Sequence, residues 1–179
     1  MKLSRRNFLK FAGAGAILST CPSLAIASPA TKPRTLALNN LHTGESLETC
    51  YFDGQKYVRD ELHKLNHLCR DFRRNEVFSM DKRLFDHIAR IQKVLGTDAE
   101  VQIISGYRSP ATNEQLRNRS SGVAKKSYHM TGQAIDFRLH GVSLRRVRDA
   151  ARSLKAGGVG YYPKSNFVHI DTGPVRYWS

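Results

Sequence analysis

Two stretches of the chain constrain its fold and its chemistry more than any other feature. Residues 127–136 contain His129 and, seven positions later, Asp136. Residues 167–171 contain a second histidine, His169. Two imidazoles and one carboxylate form the ligand set that a catalytic zinc ion takes from a protein, with the fourth position left for water. We therefore expect a fold that brings these distant segments together around one Zn²⁺ ion.

Both stretches show the alternation of half-buried strands. The alternating apolar side chains are Ile135, Phe137, Leu139, Val168 and Ile170. If these side chains face the core, Asp136 and His169 lie on the opposite face, because successive side chains of a strand point to opposite sides of the sheet. Gly132 lets the chain turn between His129 and the strand that carries Asp136. The alternation therefore predicts a metal site on the face of the sheet that is turned away from the core.

A second pair of histidines offers a competing metal site. His63 and His67 are four residues apart on a predicted helix, so they lie on one helix face and are able to chelate a metal ion. Neither a third ligand nor an acidic residue that serves as a base accompanies them. We interpret them as surface residues.

The N-terminus predicts export from the cytoplasm. Arg5 and Arg6 form a twin-arginine pair, and residues 11–18 form an apolar run that is too short to span a bilayer. Residues 25–27 (Ala-Ile-Ala) provide a cleavage site. We expect residues 1–27 to be a twin-arginine signal peptide that contacts the export machinery transiently. The mature chain is then expected in the periplasm, without stable insertion in a membrane.

The three cysteines leave two alternatives open. Cys21 lies in the predicted signal peptide, after a segment that resembles a lipobox except for the threonine before the cysteine, so a lipid anchor is an alternative to release. Cys50 and Cys69 remain in the mature chain, where an oxidising compartment permits a disulfide. Their spacing is equally compatible with a disulfide and with two free buried thiols, because the sequence does not give the distance between them.

The positive charge of the chain restricts its partners. The formal net charge is +14 and the isoelectric point is about 10.1. A basic surface suits an anionic polymer, which is either a nucleic acid or a component of the cell envelope. The predicted export favours the envelope, so we expect no nucleic-acid partner.

Periodicity and turn signals predict a single α+β domain at residues 34–179, after a linker at residues 28–33. The predicted strands are residues 35–39, 46–52, 101–105, 134–139, 159–162 and 167–171. The predicted helices are residues 57–72, 81–96, 112–119 and 143–154. We expect an antiparallel sheet with the helices packed on one face and the zinc site on the opposite face.

The turn after the third predicted strand carries an arginine. Residues 101–105 run into Gly106, Tyr107 and Arg108, so the strand delivers Arg108 to the end of the sheet.

Together these segments resemble the zinc peptidases of the D-Ala-D-Ala carboxypeptidase type. That group includes the vancomycin-resistance dipeptidases and shares its fold with the Hedgehog signalling domain. The resemblance includes the pattern Ser-x-His-x-x-Gly-x-Ala-x-Asp at residues 127–136, the later histidine and residues 105–109. From residue 38 to the end, the chain is most similar to the murein endopeptidase K family.

The resemblance implies roles for individual residues. It implies that His129, Asp136 and His169 are the zinc ligands and that Arg108 faces the scissile carbonyl. Beside the first ligand, Ser127 and Tyr128 are candidates for binding substrate. Tyr107, Tyr161 and Tyr162 are further candidates to line the groove, and their alternative role is packing under the sheet.

One position departs from the pattern of the family. Related enzymes have a catalytic acid three residues before the last zinc histidine, and Asn166 occupies this position here. An amide does not act as a general base. Asp171 is the nearest acidic substitute, because side chains at i and i+2 of a strand share a face about 6.5–7 Å apart. Asp171 is therefore either the general base or a residue that hydrogen-bonds a zinc ligand.

These observations predict a periplasmic zinc peptidase that cleaves the cross-links between peptidoglycan stem peptides. The resemblance implies that the cross-links between two diaminopimelate residues are included. Three alternatives remain. They are a carboxypeptidase that releases D-Ala from the same site, an inactive zinc-containing module that binds peptidoglycan, and a nucleic-acid-binding domain that accounts for the charge alone.

Overall fold

The computed structural model describes residues 31–120 and 122–179. The predicted signal peptide, Cys21 and the first half of the predicted linker lie outside the described residues. Residues 31–33 precede the first strand and have no regular secondary structure.

A seven-stranded sheet forms the centre of the domain, in the order β2-β1-β3-β4-β6-β5-β7. Its strands are β1 (Arg34–Asn40), β2 (Ser46–Phe52), β3 (Val101–Ser105), β4 (Ala134–Leu139), β5 (Gly158–Tyr162), β6 (Phe167–Asp171) and β7 (Arg176–Trp178). The first six match the predicted strands to within one residue at each end. The seventh was not predicted.

The α+β class is confirmed, but the expectation of a purely antiparallel sheet is wrong. β1 runs parallel to β3, and β5 runs parallel to β7. The chain between β2 and β3 forms two helices, and such a crossover allows β3 to return in the same direction as β1. The remaining pairs are antiparallel.

The described residues form four α-helices. They are α1 (Arg59–Leu68), α2 (Lys82–Leu95), α3 (Pro110–Arg119) and α4 (Leu144–Ser153). The predicted limits of α2 are confirmed, since the Asp81 side chain accepts from the Arg83 N–H and Gly96 ends the helix with φ +64°. The first helix is shorter than predicted, because Tyr57 forms a bridge with Phe52 before the helix begins.

The core fills the space between the helices and one face of the sheet. Helix α2 contacts β1, and helix α4 contacts β4, β5 and β6. The five apolar side chains predicted to face the core are at most 2% exposed: Ile135, Phe137, Leu139, Val168 and Ile170. Leu84, Phe85, Ile88 and Ile91 of α2 are also fully buried. Burial of this apolar face fixes which face of the sheet Asp136 and His169 occupy.

The two described cysteines are free. Cys50 lies exposed on β2, whereas Cys69 is buried after α1, and burial raises the pKa of its thiol to about 12. The disulfide alternative is therefore wrong for this structure. The alternative of two buried thiols holds for Cys69 only.

In the part of the chain that the structure describes, no helix has the length and apolar character needed to cross a bilayer.

The buried face of α2 includes a titratable residue. His87 of α2 is 2% exposed, and neither ring nitrogen makes a hydrogen bond of good geometry among the described residues. Burial lowers the pKa of His87 to about 4, and the charge of Arg90 acts in the same direction. The carbonyl of Ala151 on α4 and the charge of Asp171 only partly oppose this shift. The packed core therefore accepts His87 only in its neutral form.

We predict that protonation of His87 destabilises the protein in acid. The pKa is about 4 in the folded chain and about 6.5 in the unfolded chain, so the folded state loses stability as the pH falls from 6.5 towards 4. At about 1.4 kcal/mol per pH unit, His87 alone should lower the free energy of unfolding by roughly 3 kcal/mol over this interval. Denaturant unfolding at several pH values measures the effect.

A His87→Leu variant is the control for this prediction, because it removes the ring that titrates and leaves the other titratable groups unchanged. The difference in unfolding free energy between wild type and variant should change with pH between 6.5 and 4. Parallel curves in this interval would show that His87 does not carry the acid sensitivity.

Candidate metal centre

The three predicted ligands converge on one point. β4 and β6 are neighbours, and their register places Asp136 directly opposite His169. His129 lies on a 3₁₀ turn, Tyr128–Thr131, that leads into β4. One ligand atom from each side chain lies within 4.8 Å of the others. His129 and Asp136 are buried, and His169 is half-buried.

Asp136 lies between the two histidines. Its Oδ1 is 2.7 Å from Nδ1 of His169, and its Oδ2 is 3.3 Å from Nε2 of His129. The two rings meet edge to face, with centroids 5.1 Å apart. Each imidazole therefore presents one nitrogen to the same carboxylate, which is the arrangement needed for one shared cation.

Backbone contacts fix the position of His129. Its Nδ1–H donates to the carbonyl of Gly106 at 2.7 Å, because a carbonyl only accepts, and this leaves Nε2 facing Asp136. The 3₁₀ turn ends at Gly132, where φ is +66° and an added Cβ would overlap the carbonyl of Ser79. The glycine in the motif therefore serves both the turn and the close packing behind it.

Asp171 holds the second nitrogen of His169. Its Oδ2 is 3.1 Å from Nε2 of His169, and its side chain is fully buried. The carboxylate also accepts from the N–H groups of Gly158 and Gly173, at 3.2 and 2.9 Å. Arg176 of β7 donates to both of its oxygens, at 3.1 and 2.7 Å. Five donors thus surround this one carboxylate.

This environment bears on the two roles considered for Asp171. A carboxylate that is buried and saturated with donors orients His169 but offers no free lone pair to a substrate in the cleft. The geometry favours the orienting role over the role of general base. Arg176 was missed by sequence reasoning, because it lies on the unpredicted strand β7.

The electrostatics of the centre match a cation site. Burial opposes ionisation of Asp136, but the neighbouring His129 and His169 hold its pKa far below the ordinary value. Burial also opposes ionisation of Asp171, yet His169 and Arg176 lower its pKa to about 2. Burial lowers the pKa of His129, whereas hydrogen bonds to Asp136 and Asp171 outweigh burial and raise that of His169 to about 9. Both carboxylates are thus ionised, which suits a cation site, and burial favours the neutral form of His129. A pKa of about 9 keeps a proton on His169, so binding of a metal ion by this ring would release that proton.

Arg108 lies beside the centre at the end of β3. Its guanidinium Nη2 is 3.7 Å from Oδ2 of Asp136 and 3.3 Å from Oγ of Ser105. Burial lowers its pKa, and its Nε has no partner among the described residues. The backbone N–H of Arg108 donates to the carbonyl of His129 at 3.1 Å, which ties the turn after β3 to the first ligand.

A cleft of about 600 Å³ opens over the three ligands. Its other lining residues are Arg108, Ser120, Gly122, Val123, Ala124, Lys126, Ser127, Tyr128, Tyr162, Ser165, Phe167, Arg176 and Trp178. The candidates Ser127, Tyr128 and Tyr162 thus line the cleft. Asp136 is its only carboxylate among the described residues.

The other candidate tyrosines do not line this cleft. Tyr107 is 8% exposed and stacks on Phe78, with ring centroids 4.7 Å apart. Tyr161 packs against the core, and the guanidinium of Arg148 lies 4.7 Å from its ring centre. His63 and His67 are both exposed.

Asn166 also lies outside the cleft. It adopts φ +55° in the turn between β5 and β6, a conformation that asparagine tolerates well. It lines a neighbouring groove with Gln102, Arg138 and His140. The structure therefore directs the residue at the usual acid position away from the three ligands.

Similar proteins support the resemblance. A family model described as peptidoglycan L,D-endopeptidase MepK matches residues 28–178. The peptidoglycan L,D-endopeptidase MepK of Escherichia coli strain K12 is 55% identical over 176 residues, which cover 98% of this chain and 97% of that protein. The probable peptidoglycan L,D-endopeptidase MepK of Haemophilus influenzae is 46% identical over 177 residues, with 98% and 95% covered. The predicted resemblance is confirmed.

We predict that Asp171 and Arg176 support metal affinity. The Arg176→Gln variant removes the cation that neutralises Asp171, and Asp171→Asn removes the acceptor for His169. Both variants should bind Zn²⁺ about 10–100-fold more weakly, because the loss of a residue that hydrogen-bonds and orients a metal ligand usually lowers metal affinity by this factor. Competition with a chromogenic chelator measures the affinity, and circular dichroism reports on the fold.

Arg145→Gln is the matched control, since Arg145 is exposed on α4 and its removal changes the net charge equally. It should leave the zinc affinity unchanged. Wild-type affinity in a folded Arg176→Gln protein would exclude the support role of Arg176.

Proposed function

We propose a function for this chain, which belongs to the peptidoglycan L,D-endopeptidase MepK family. In this proposal the protein is a periplasmic zinc peptidase that hydrolyses cross-links between peptidoglycan stem peptides. The proposed substrates include the links between two diaminopimelate residues. Endopeptidase activity on peptidoglycan rests on the family. The metal rests on the site, the compartment rests on the N-terminal sequence, and the particular bond rests on the resemblance to the family.

One observation carries the proposal: His129, Asp136 and His169 meet within 4.8 Å at the base of a cleft that also presents Arg108. Two imidazoles and one carboxylate fit zinc in a site that keeps one position open. Both imidazoles have their second nitrogen engaged, by Gly106 and by Asp171, as metal-binding histidines commonly do. Zinc bound here would activate a water molecule and polarise the scissile carbonyl.

The protein's own residues supply orientation and charge. The half-buried Arg108 guanidinium hydrogen-bonds the carbonyl oxygen and stabilises the negative charge that develops on it. Asp136 and Arg108 are 3.7 Å apart, so the arginine stays beside the ligand that it must complement. Asp171 and Arg176 fix the ring of His169, which keeps the ligand set preorganised.

The basic character of the chain fits this substrate. Without the four basic residues of the predicted signal peptide, the formal charge of +14 falls to +10, which still favours adsorption to an anionic cell wall. Lys126, Arg108 and Arg176 carry the same sign into the cleft. Stem peptides bring free carboxylates, so the cleft and its substrate have complementary charge.

We predict that the mature protein cleaves cross-linked muropeptides, loses this activity with a chelator and regains it with zinc. His129→Ala should abolish metal binding and activity together, because it removes one of three ligands. Mass spectrometry of the products identifies the bond that is cut. Release of D-Ala alone would instead support the carboxypeptidase alternative, and intact substrate with zinc-loaded protein would support the inactive binding module.

The same assay decides the role of Asp171. As an orienting residue, Asp171→Asn should recover activity at saturating zinc. A loss of about 10²–10⁴-fold at full zinc occupancy would instead identify Asp171 as the general base.

The proposed compartment rests on the twin-arginine segment and has its own test. Changing Arg5 and Arg6 to lysine should leave precursor in the cytoplasm, because the receptor reads the arginine pair as an address. Cell fractionation measures the distribution, and a Lys2→Arg, Lys10→Arg variant is a control that alters basic residues outside the pair. Normal periplasmic levels of the double-lysine variant would indicate a different export route.

A further inference from the structure

We infer that Tyr162 donates a hydrogen bond from its phenol O–H to the bound peptide and that Trp178 positions it for this contact. The inference deepens the proposed function and rests on it, since the peptide in question is the peptidoglycan stem peptide. The observations that carry it are the register of four strands, one hydrogen bond and the composition of the cleft.

Strand register places Trp178 beside the metal ligands. Asp136 of β4 pairs with His169 of β6, His169 pairs with Gly160 of β5, and Gly160 pairs with Trp178 of β7. Paired residues share a face of the sheet, so these four residues form one row on the face of the ligands. The next row contains Tyr162 opposite Phe167.

The indole ring of Trp178 fits into this row because Gly160 has no side chain. An added Cβ at Gly160 would come within 2.6–2.8 Å of the indole ring of Trp178, so the ring lies directly over the glycine. From there it reaches His169, with ring centroids 5.3 Å apart. A glycine inside a strand commonly marks such a close approach. The indole is thus built into the wall of the cleft.

The hydrogen bond between Trp178 and Tyr162 determines what the phenol is free to do. Nε1–H of Trp178 donates to the hydroxyl oxygen of Tyr162 at 2.8 Å. An indole N–H only donates, so Tyr162 is the acceptor in this contact and keeps its own O–H for another partner. No acceptor for this hydrogen is present among the described residues. Stacking on Phe167, with centroids 4.6 Å apart, limits rotation of the ring.

Tyr162 lines the cleft, so an oxygen of a bound peptide is able to accept from this O–H. Tyr162, Trp178 and Arg108 all line the same cavity, and the only carboxylate there among the described residues, Asp136, is engaged by both histidines. A stem peptide brings carbonyl and carboxylate oxygens, which are acceptors. The structure therefore presents a neutral donor, Tyr162, and a cationic donor, Arg108, to a substrate that is rich in acceptors.

Binding of an uncross-linked disaccharide–tetrapeptide muropeptide to the zinc-loaded protein tests the inference. Trp178 is the only tryptophan of the chain, so its fluorescence reports directly on the cleft. Tyr162→Phe should weaken binding about 3–10-fold, the usual value of one hydrogen bond. On cross-linked muropeptides the same factor should appear in KM, with kcat little changed.

Tyr161→Phe is the matched control, because the adjacent tyrosine packs against the core and does not line the cleft. It loses the same hydroxyl and should bind as wild type does. Trp178→Phe, measured by calorimetry, should reproduce the loss of Tyr162→Phe. The double variant should lose no more than either single variant, because Trp178 acts only through Tyr162.

The outcomes separate this inference from the proposed function. Wild-type affinity in Tyr162→Phe overturns the inference even if the enzyme cleaves cross-links, and so does an equal loss in Tyr161→Phe. Absence of muropeptide binding by the wild-type protein also overturns it. Binding that depends on Tyr162 without any cleavage supports the inference and overturns the endopeptidase activity.

Discussion

The site depends on one buried carboxylate. Asp136 lies between two imidazoles and keeps its charge although burial opposes ionisation, because His129 and His169 both contact it. Removing any of the three would leave buried polar groups without partners, which is costly in a packed interior. This constraint accounts for the rigid supports around the site, which include the Gly106 carbonyl behind one ring and the Asp171 carboxylate behind the other.

The sheet determines where the cleft forms around these three residues. Its face towards the helices is filled with apolar side chains, so the opposite face is left to polar residues. Cross-strand pairing then extends the ligand row through β5 to the terminal strand β7. In this way three residues near the C-terminus supply an arginine to Asp171 and an indole beside His169. The short strand β7, which sequence periodicity does not reveal, therefore contributes Arg176 and Trp178 to the wall of the cleft.

Alternation and caps predicted much of this arrangement. The strands that carry Asp136 and His169, the helix from Asp81 to Gly96 and the convergence of the three ligands follow from local patterns. The two parallel strand pairs do not follow from local patterns, because the direction of a strand depends on the crossover that precedes it. Strand β7 does not follow either, because a strand of three residues is too short to show alternation. The signal that pointed to β7 was Gly160, which interrupts an apolar strand and leaves room for a neighbour.

Asp171 is fully engaged by hydrogen-bond donors, and Asn166 lies outside the cleft, so neither residue offers a free acceptor to a bound substrate. The described lining contains cations, hydroxyl groups and aromatic rings, but its single carboxylate belongs to the ligand set. A cleft of donors binds a substrate that supplies acceptors, and peptidoglycan stem peptides are anionic chains with many such oxygens. Under the proposed function, the lack of competing acids among the described lining residues would favour this substrate together with Arg108 and Tyr162. An acid introduced at the cleft wall would pair with Arg108 or Arg176 and would repel the carboxylates of the substrate, because like charges in a partly desolvated site interact strongly.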